Sequence, residues 1–430
     1  MARLFPGRFV SATRCFRISL SFSLLCIALS LRAGAQSVPT LERYGEQVGG
    51  TIENAQYGGS LSMSGDGQTF VAVENTATGA EARVLRYDPE GQAWLQLGDA
   101  LLPWDRFSLT TDGNTLLASN SMGFVLTEWN EDDELWETIL DRTDSGLAGA
   151  HMNSDGNVLV YSIDGVPHVM ERTGASLTPR PEISAVTDVI SGDGRVLVLA
   201  EALEDGGKRL RVFTFESGAW QDEVTIDLPA ADPLRSSVAV DYDGDVIVAG
   251  FHEDGHDAEE TARLYGYLAI YEREGSEWVR SALIEGREES DNFGTRHAAV
   301  SPDGRFVLAG APDGLGQAQD YLGTARLFQK SGAWEEIQSD LLRGDTPFGV
   351  YGSPVALGQS EEGLFLAVSG TWATVENLDY AGATYTYFLP NPPPPPNTPP
   401  RPSTMPSMFL RTAESMATSS TTTRTRTMTS

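Results

Sequence analysis

The sequence predicts an all-β protein: a seven-bladed β-propeller of four-stranded antiparallel blades, its ring closed by an N-terminal strand. Three observations lead there. An Asp-Gly corner or close relative recurs between apolar, alternating segments, centred on Asp66, Asp112, Asp155, Asp193, Asp243, Asp303 and, in a worn copy, Glu362. Successive corners lie 46, 43, 38, 50, 60 and 59 residues apart, which fits one four-stranded blade each with loops of varying length. A tryptophan follows the third-strand turn in five units, at Trp94, Trp136, Trp220, Trp278 and Trp334. Such a large ring would pack between neighbouring blades.

Residues 1–35 read as a signal peptide. Arg3, Arg8, Arg14 and Arg17 form a basic start, Ile18 to Leu31 is an apolar or small stretch, and Ala33-Gly34-Ala35 supplies a small-residue cleavage pattern before Gln36. Its 14 residues fall short of the roughly 20 needed to cross a hydrocarbon core. Both cysteines, Cys15 and Cys26, lie in this segment, so the mature chain is expected to be secreted without disulfides.

Residues 36–390 form the propeller. Glu42 to Ile52 reads as an outer strand, with Tyr44 in the place the tryptophans occupy elsewhere, and is expected to pair with the last blade. The first full unit sets the pattern. Gly59 to Ser64 is the inner strand, Asp66-Gly67 turns, and Phe70 to Val73 returns. Ala82 to Tyr87 follows, and Trp94 to Leu97 is the outer edge. Asp-Gly suits a tight hairpin because it tolerates positive φ. The seventh unit ends at Phe388-Leu389 without an outer strand of its own. Residues 391–430 are Pro-rich and then Ser/Thr-rich, the composition of a stiff spacer followed by a disordered or glycosylated tail.

Two blades carry a further signature. Phe293-Gly294 precedes the sixth corner and Gly310-Ala311-Pro312 follows its second strand, with Phe348-Gly349 and Ser369-Gly370-Thr371 as a weaker echo. Over residues 41–389 the chain resembles the FG-GAP repeat of integrin-α-type propellers. That resemblance implies a secreted binding or adhesion protein and, in many family blades, a calcium loop between the first two strands. Here that loop has shrunk to a tight turn. Asp241-Tyr242-Asp243-Gly244-Asp245 comes nearest, with Asp241, Asp243 and Asp245 as candidate ligands, but it is short for the 6–8 oxygens calcium prefers.

Charge narrows the partner. Between residues 36 and 391 there are 21 basic and 59 acidic side chains, a net of −38. Such a field repels nucleic acid and anionic membranes and favours basic partners or cations. His252-Glu253-Asp254-Gly255-His256 matches H-E-x-x-H, yet it follows a strand and contains a glycine, so the helix required by zinc-protease chemistry is not expected. His252 and His256 are at most loose ligands for a divalent cation, and no other cofactor is implied. Arg343-Gly344-Asp345 spells an integrin-recognised tripeptide, read here as coincidence. His151, His168 and His297 are scattered and show no nucleophile arrangement.

The connections between second and third strands lengthen in blades five to seven: 251–262, 310–324 and 369–382. Long loops on a rigid scaffold are where binding usually resides. The candidate binding residues are Asp254, Asp257, Glu259, Glu260, Asp313, Asp320, Tyr321 and Trp372, with Glu376, Asp379 and Tyr380 nearby. Aromatic faces ringed by carboxylates suit a basic protein, a cation or a glycan. The expectation is a secreted, monomeric, non-enzymatic module that binds an extracellular protein or glycan. The alternative is a glycan-acting hydrolase or lyase with paired carboxylates near the channel.

Overall fold

The computed structural model describes residues 39–391 apart from 78, 144–145, 184–188, 204–207, 222–223, 229–230, 254–265, 288–290, 296 and 314–320. The predicted signal peptide and tail lie outside the described residues. All described regular structure is strand, arranged as seven antiparallel sheets. Blade 1 runs Leu61–Met63, Thr69–Thr76, Gly79–Asp88 and Ala93–Gln96, and blade 6 runs Ala298–Val300, Phe306–Ala311, Thr324–Ser331 and Ala333–Ile337. The first strands touch one another in a closed cycle from blade 1 through blade 7 and back.

Burial follows from this sandwiching. Second strands are covered by neighbouring blades on both faces, so Phe306–Ala311 and Gly363–Gly370 are buried at every residue, and Ser369 is the one polar side chain in either run. Outer strands such as Glu277–Glu285 alternate between half-buried and exposed. The core is accordingly a set of interblade seams: one cluster joins Leu308 and Leu327 of blade 6 to Leu366 and Tyr387 of blade 7. Burying a Leu or Phe side chain stabilises by about 1.5–3 kcal/mol.

Blade 7 contributes Tyr351–Gln359, Gly363–Gly370 and Ala383–Pro390. Its outer position is filled by Glu42–Arg43 and Val48–Gly49, which pair with Ala383–Pro390 in the register Glu42 with Phe388 and Val48 with Thr384. Closure is thus made by the N-terminal strand. Tyr44 stacks on Tyr87 at 3.9 Å, beside Trp94 and Phe388. Tryptophan N–H groups cross seams. Trp94 Nε1 donates to Thr386 Oγ1 of blade 7 at 2.9 Å, Trp136 Nε1 to Leu97 O at 3.1 Å and Trp334 Nε1 to Glu272 Oε1 at 2.9 Å.

The Asp-Gly corners share one construction. In blades 1, 2, 4 and 6 a hydroxyl two residues before the aspartate accepts the first N–H of the returning strand. Ser64, Thr110, Ser191 and Ser301 take those of Thr69, Thr115, Val196 and Phe306 at 2.9, 3.0, 2.9 and 2.9 Å. Each hydroxyl donates to Oδ1 of Asp66, Asp112, Asp193 or Asp303 at 2.6–2.7 Å. In blades 3 and 5 one longer side chain instead accepts two backbone N–H groups of the corner. Asn153 Oδ1 accepts from Asn157 and Val158, and Asp241 Oδ1 from Asp245 and Val246.

The corners are also linked to one another at all seven seams. Asp66 N–H donates to Thr111 O (2.9 Å), Thr111 N–H to Ser154 O (2.8 Å) and Asn153 Nδ2 to Gly192 O (2.9 Å). Asp193 N–H donates to Tyr242 O (2.9 Å), Tyr242 N–H to Pro302 O (3.2 Å), Gln359 Nε2 to Asp303 Oδ2 (2.7 Å) and Gln359 N–H to Gly65 O (2.7 Å). A belt of hydrogen bonds therefore encircles the channel at the turn face.

Candidate functional site: the loop face of blades 6 and 7

At the opposite end of the strands, the long connections of blades 6 and 7 enclose a cavity of about 300 Å³, lined by Asp313, Trp372, Thr371, His297, Val350 and Ser353, with Gly59 at its edge. Trp372 stands just past the buried strand Gly363–Gly370. Its backbone N–H donates to Gly349 O at 3.2 Å, and the Thr371 hydroxyl donates to the Ser353 carbonyl oxygen. Asp313 is held from behind by Asn292, whose amide donates to its Oδ2. The remaining oxygen, Oδ1, accepts no hydrogen bond from a described residue.

The surrounding loops are tied together by backbone. Asn54, Gln56 and Tyr57 N–H groups donate to the carbonyls of Asp379, Tyr380 and Ala381 at 2.9, 3.0 and 2.7 Å, and Val350 N–H to Tyr321 O at 3.3 Å. Within this rigid frame stand the large aromatic residues that are exposed among the described residues: Tyr321, Phe348, Trp372 and Tyr380, at 40, 46, 46 and 44 %. The rings of Tyr321 and Phe348 lie 6.1 Å apart. Tyr321, Phe348, Val350, Glu376, Asn377 and Tyr380 also have φ between 41 and 72°. Left-handed backbone at an aromatic or β-branched residue costs on the order of 1–3 kcal/mol. Neighbouring hydrogen bonds hold these residues in that conformation, and strain of this kind clusters at ligand-binding surfaces.

Of the sequence-predicted binding residues, Asp313 and Trp372 meet in the cavity wall, and Tyr321 leaves the same loop beside it. Asp254, Asp257, Glu259, Glu260, Asp320 and the metal candidate His256 lie outside the described residues. His252 lies near the end of the strand Val246–Glu253, paired with Gly266, so the backbone at His252 and Glu253 is extended and not helical. The Arg343-Gly344-Asp345 tripeptide is built into the fold: Gly344 N–H donates to Gly323 O at 3.0 Å, and a Cβ there would lie 2.0 Å from Leu322 O.

The acidic corner of blade 5 has a structural task. Asp241 is 6 % exposed and its Oδ1 is committed to two backbone N–H groups, while Asp245 faces Arg273 at 3.9 Å. Burial pushes the Asp241 carboxyl up to about 6 against the pull of those N–H groups, with Asp245 and Asp243 adding repulsion. Among the described residues no three His, Cys, Asp or Glu side chains are grouped to hold a metal ion.

Two other depressions are accounted for by packing. A groove of about 900 Å³ follows the closing seam past Arg43, Tyr44, Arg83 and Trp94. Its rings stack on one another, and its guanidiniums are engaged: Arg43 lies over Tyr385 and Tyr387, and Arg83 bonds Gly49 O. The turn-face mouth of the channel, about 120 Å³, is ringed by Met63, Leu109, Ile190, Val240, Val300 and Leu357. Across it the Tyr242 hydroxyl donates to the Asp155 carboxylate at 2.9 Å. Burial, and then that carboxylate, raises the phenol to about 12.

Sequence reading missed His297, Val350 and Phe348. His297 carries no motif; its place just ahead of an inner strand was the available signal. Phe348-Gly349 echoes Phe293-Gly294 in sequence, but the two phenylalanines differ. Phe293 is 0 % exposed in the seam between blades 5 and 6, whereas Phe348 is 46 % exposed. The Phe-Gly pair repeats in sequence, and only one copy packs.

Fold and cavity together define a seven-bladed propeller with an aromatic, acidic pocket on its loop face. No family profile matches the chain, and no curated protein matches it. Among solved structures it is similar to hydrazine synthase of Kuenenia stuttgartiensis, at 14 % identity and a TM-score of 0.50, over 75 % of this chain and 94 % of that one. It is likewise similar to the β-propeller domain of Cps50 (Swd1) from Myceliophteria thermophila, at 11 % identity and a TM-score of 0.50, over 80 % of this chain and 99 % of that one. At such identities the likeness concerns the propeller fold alone.

Proposed function

We propose that this protein is a secreted, non-enzymatic binding or adhesion module of FG-GAP type that engages an extracellular protein or glycan through the loop face of blades 5 to 7. The carrying observation is the convergence of exposed Tyr321, Phe348, Trp372 and Tyr380 on one hydrogen-bonded face around a cavity. Aromatic anchors held rigidly lose little entropy on binding and dominate interface energetics. The FG-GAP reading is supported by blade 6, where Gly294 N–H donates to Gly310 O at 2.7 Å and Phe293 fills the seam. Secretion rests on the character of residues 1–35. The alternative, a glycan-acting hydrolase or lyase, would work through paired carboxylates near the channel.

Arrays of extracellular proteins and glycans probed with the purified chain, with and without calcium, test this reading. Binding that a Tyr321→Ala/Trp372→Ala double variant loses is the expected outcome. Binding retained in full by that variant would place the interface elsewhere. Release of reducing sugar from any arrayed glycan would favour the enzyme.

A further inference from the structure

We infer that the cavity between blades 6 and 7 is a recognition pocket for a single lysine or arginine side chain, so that the partner is a basic protein; this rests on the binding role proposed above. Size is the first argument. At about 300 Å³ the cavity lies at the small end of ligand sites and has room for a long side chain. Chemistry is the second. Ammonium and guanidinium groups only donate hydrogen bonds, and the wall offers acceptors. Asn292 fixes Oδ2 of the Asp313 carboxylate, Oδ1 accepts no hydrogen bond from a described residue, and Thr371 and Ser353 line the same wall. The half-exposed indole of Trp372 supplies the face over which a cation is attracted by the ring quadrupole.

Charge complementarity is the third argument. No lysine or arginine is among the described lining residues, and exposed Glu376 and Asp379 lie on the connection that carries Thr371 and Trp372. The propeller's net charge of −38 would speed the approach of a basic partner. That field alone attracts any polycation. The cavity adds a defined seat, a carboxylate and an indole, which makes the attraction specific.

The test is titration of the full chain with a tetralysine peptide, a tetra-arginine peptide, tetralysine acetylated at every Nζ, and a neutral glucose oligomer, followed by calorimetry. Tetralysine or tetra-arginine should bind at least tenfold more tightly than the acetylated peptide. Asp313→Asn and Trp372→Ala should each weaken binding about tenfold, Trp372→Phe should restore most of the loss, and Asp88→Asn on the opposite face should change nothing. Circular dichroism melts matching the parent chain would confirm that the variants fold. Peptide binding indifferent to Asp313→Asn and Trp372→Ala would reduce the effect to the general field and overturn the pocket. Glucose-oligomer binding that needs Trp372, without peptide binding, would overturn the lysine or arginine assignment and leave the binding face standing. If an array ligand binds independently of the Tyr321/Trp372 pair, the broader reading falls with it.

Discussion

Asp241 occupies the corner position that a hydroxyl holds in four of its sister blades, and there a carboxylate is an awkward choice. It satisfies two backbone N–H groups, as Asn153 does in blade 3, but burial raises its pKa to about 6. The folded state thus holds the proton more tightly than the unfolded chain, whose value is near 3.8. Stability from this group is complete below about pH 4 and is lost as the pH rises through about 6. Asn153 also shows what an amide adds: its Nδ2 donates to Gly192 O of the next blade, and Pro302 is the equivalent carbonyl for blade 5. Asp241→Asn should therefore raise stability at about pH 7.5 by on the order of 1–3 kcal/mol, with the gain vanishing near pH 4. Chemical denaturation at both pH values checks this. A variant less stable than the parent at neutral pH would refute it.

Between elements, glycines set how closely the blades approach. A Cβ on Gly310 would lie 1.8 Å from Gly352 O, and one on Gly250 would lie 1.8 Å from Gly294 O. The same contact recurs at two successive seams, between a second strand and the backbone entering the next blade. This is the physical content of the signature glycines. Gly310→Ala should force the seam apart and cost about 1–3 kcal/mol or more, lowering Tm by several degrees in calorimetry. An unchanged Tm would mean the blades can separate freely there. The closing strand is the other element with a large reach. Removing residues 40–52 strips the outer edge from Ala383–Pro390, deletes Tyr44 from its aromatic cluster and takes one acceptor from Trp94. Amides of Ala383–Pro390 should lose hydrogen-exchange protection and Tm should fall. Protection persisting in that strand would show that the ring closes without it.

Over the whole molecule, the charge imbalance is a standing load. A net of −38 between residues 36 and 391 is relieved locally by ion pairs across seams, such as Arg172 with Glu128 and Lys330 with Glu272, but 59 acidic side chains stand against 21 basic ones. Raising the salt concentration shortens the Debye length to about 3 Å at 1 M and should raise Tm. A Tm that falls with sodium chloride would indicate that the seam ion pairs outweigh the repulsion.

The number of blades, the position of each hairpin and the closing role of the N-terminal segment were legible in the sequence, because strand alternation and Asp-Gly corners are local and repeat. So was the lengthening of the loops in blades 5 to 7, of which those of blades 6 and 7 meet at the cavity. The cavity was only half legible. Asp313 and Trp372 stood out as types, but His297 and Val350 join them through packing between blades, which leaves no periodic trace. Phe348 shows the limit plainly: it spells the same Phe-Gly as Phe293 and goes to the surface. The Asp-Gly corner carries the same lesson. Its sequence determined a tight turn, since backbone geometry there is decided within five residues. Only the closed ring decided that each turn would bond to the next around the channel, because those donors and acceptors belong to different blades and meet when all seven are in place.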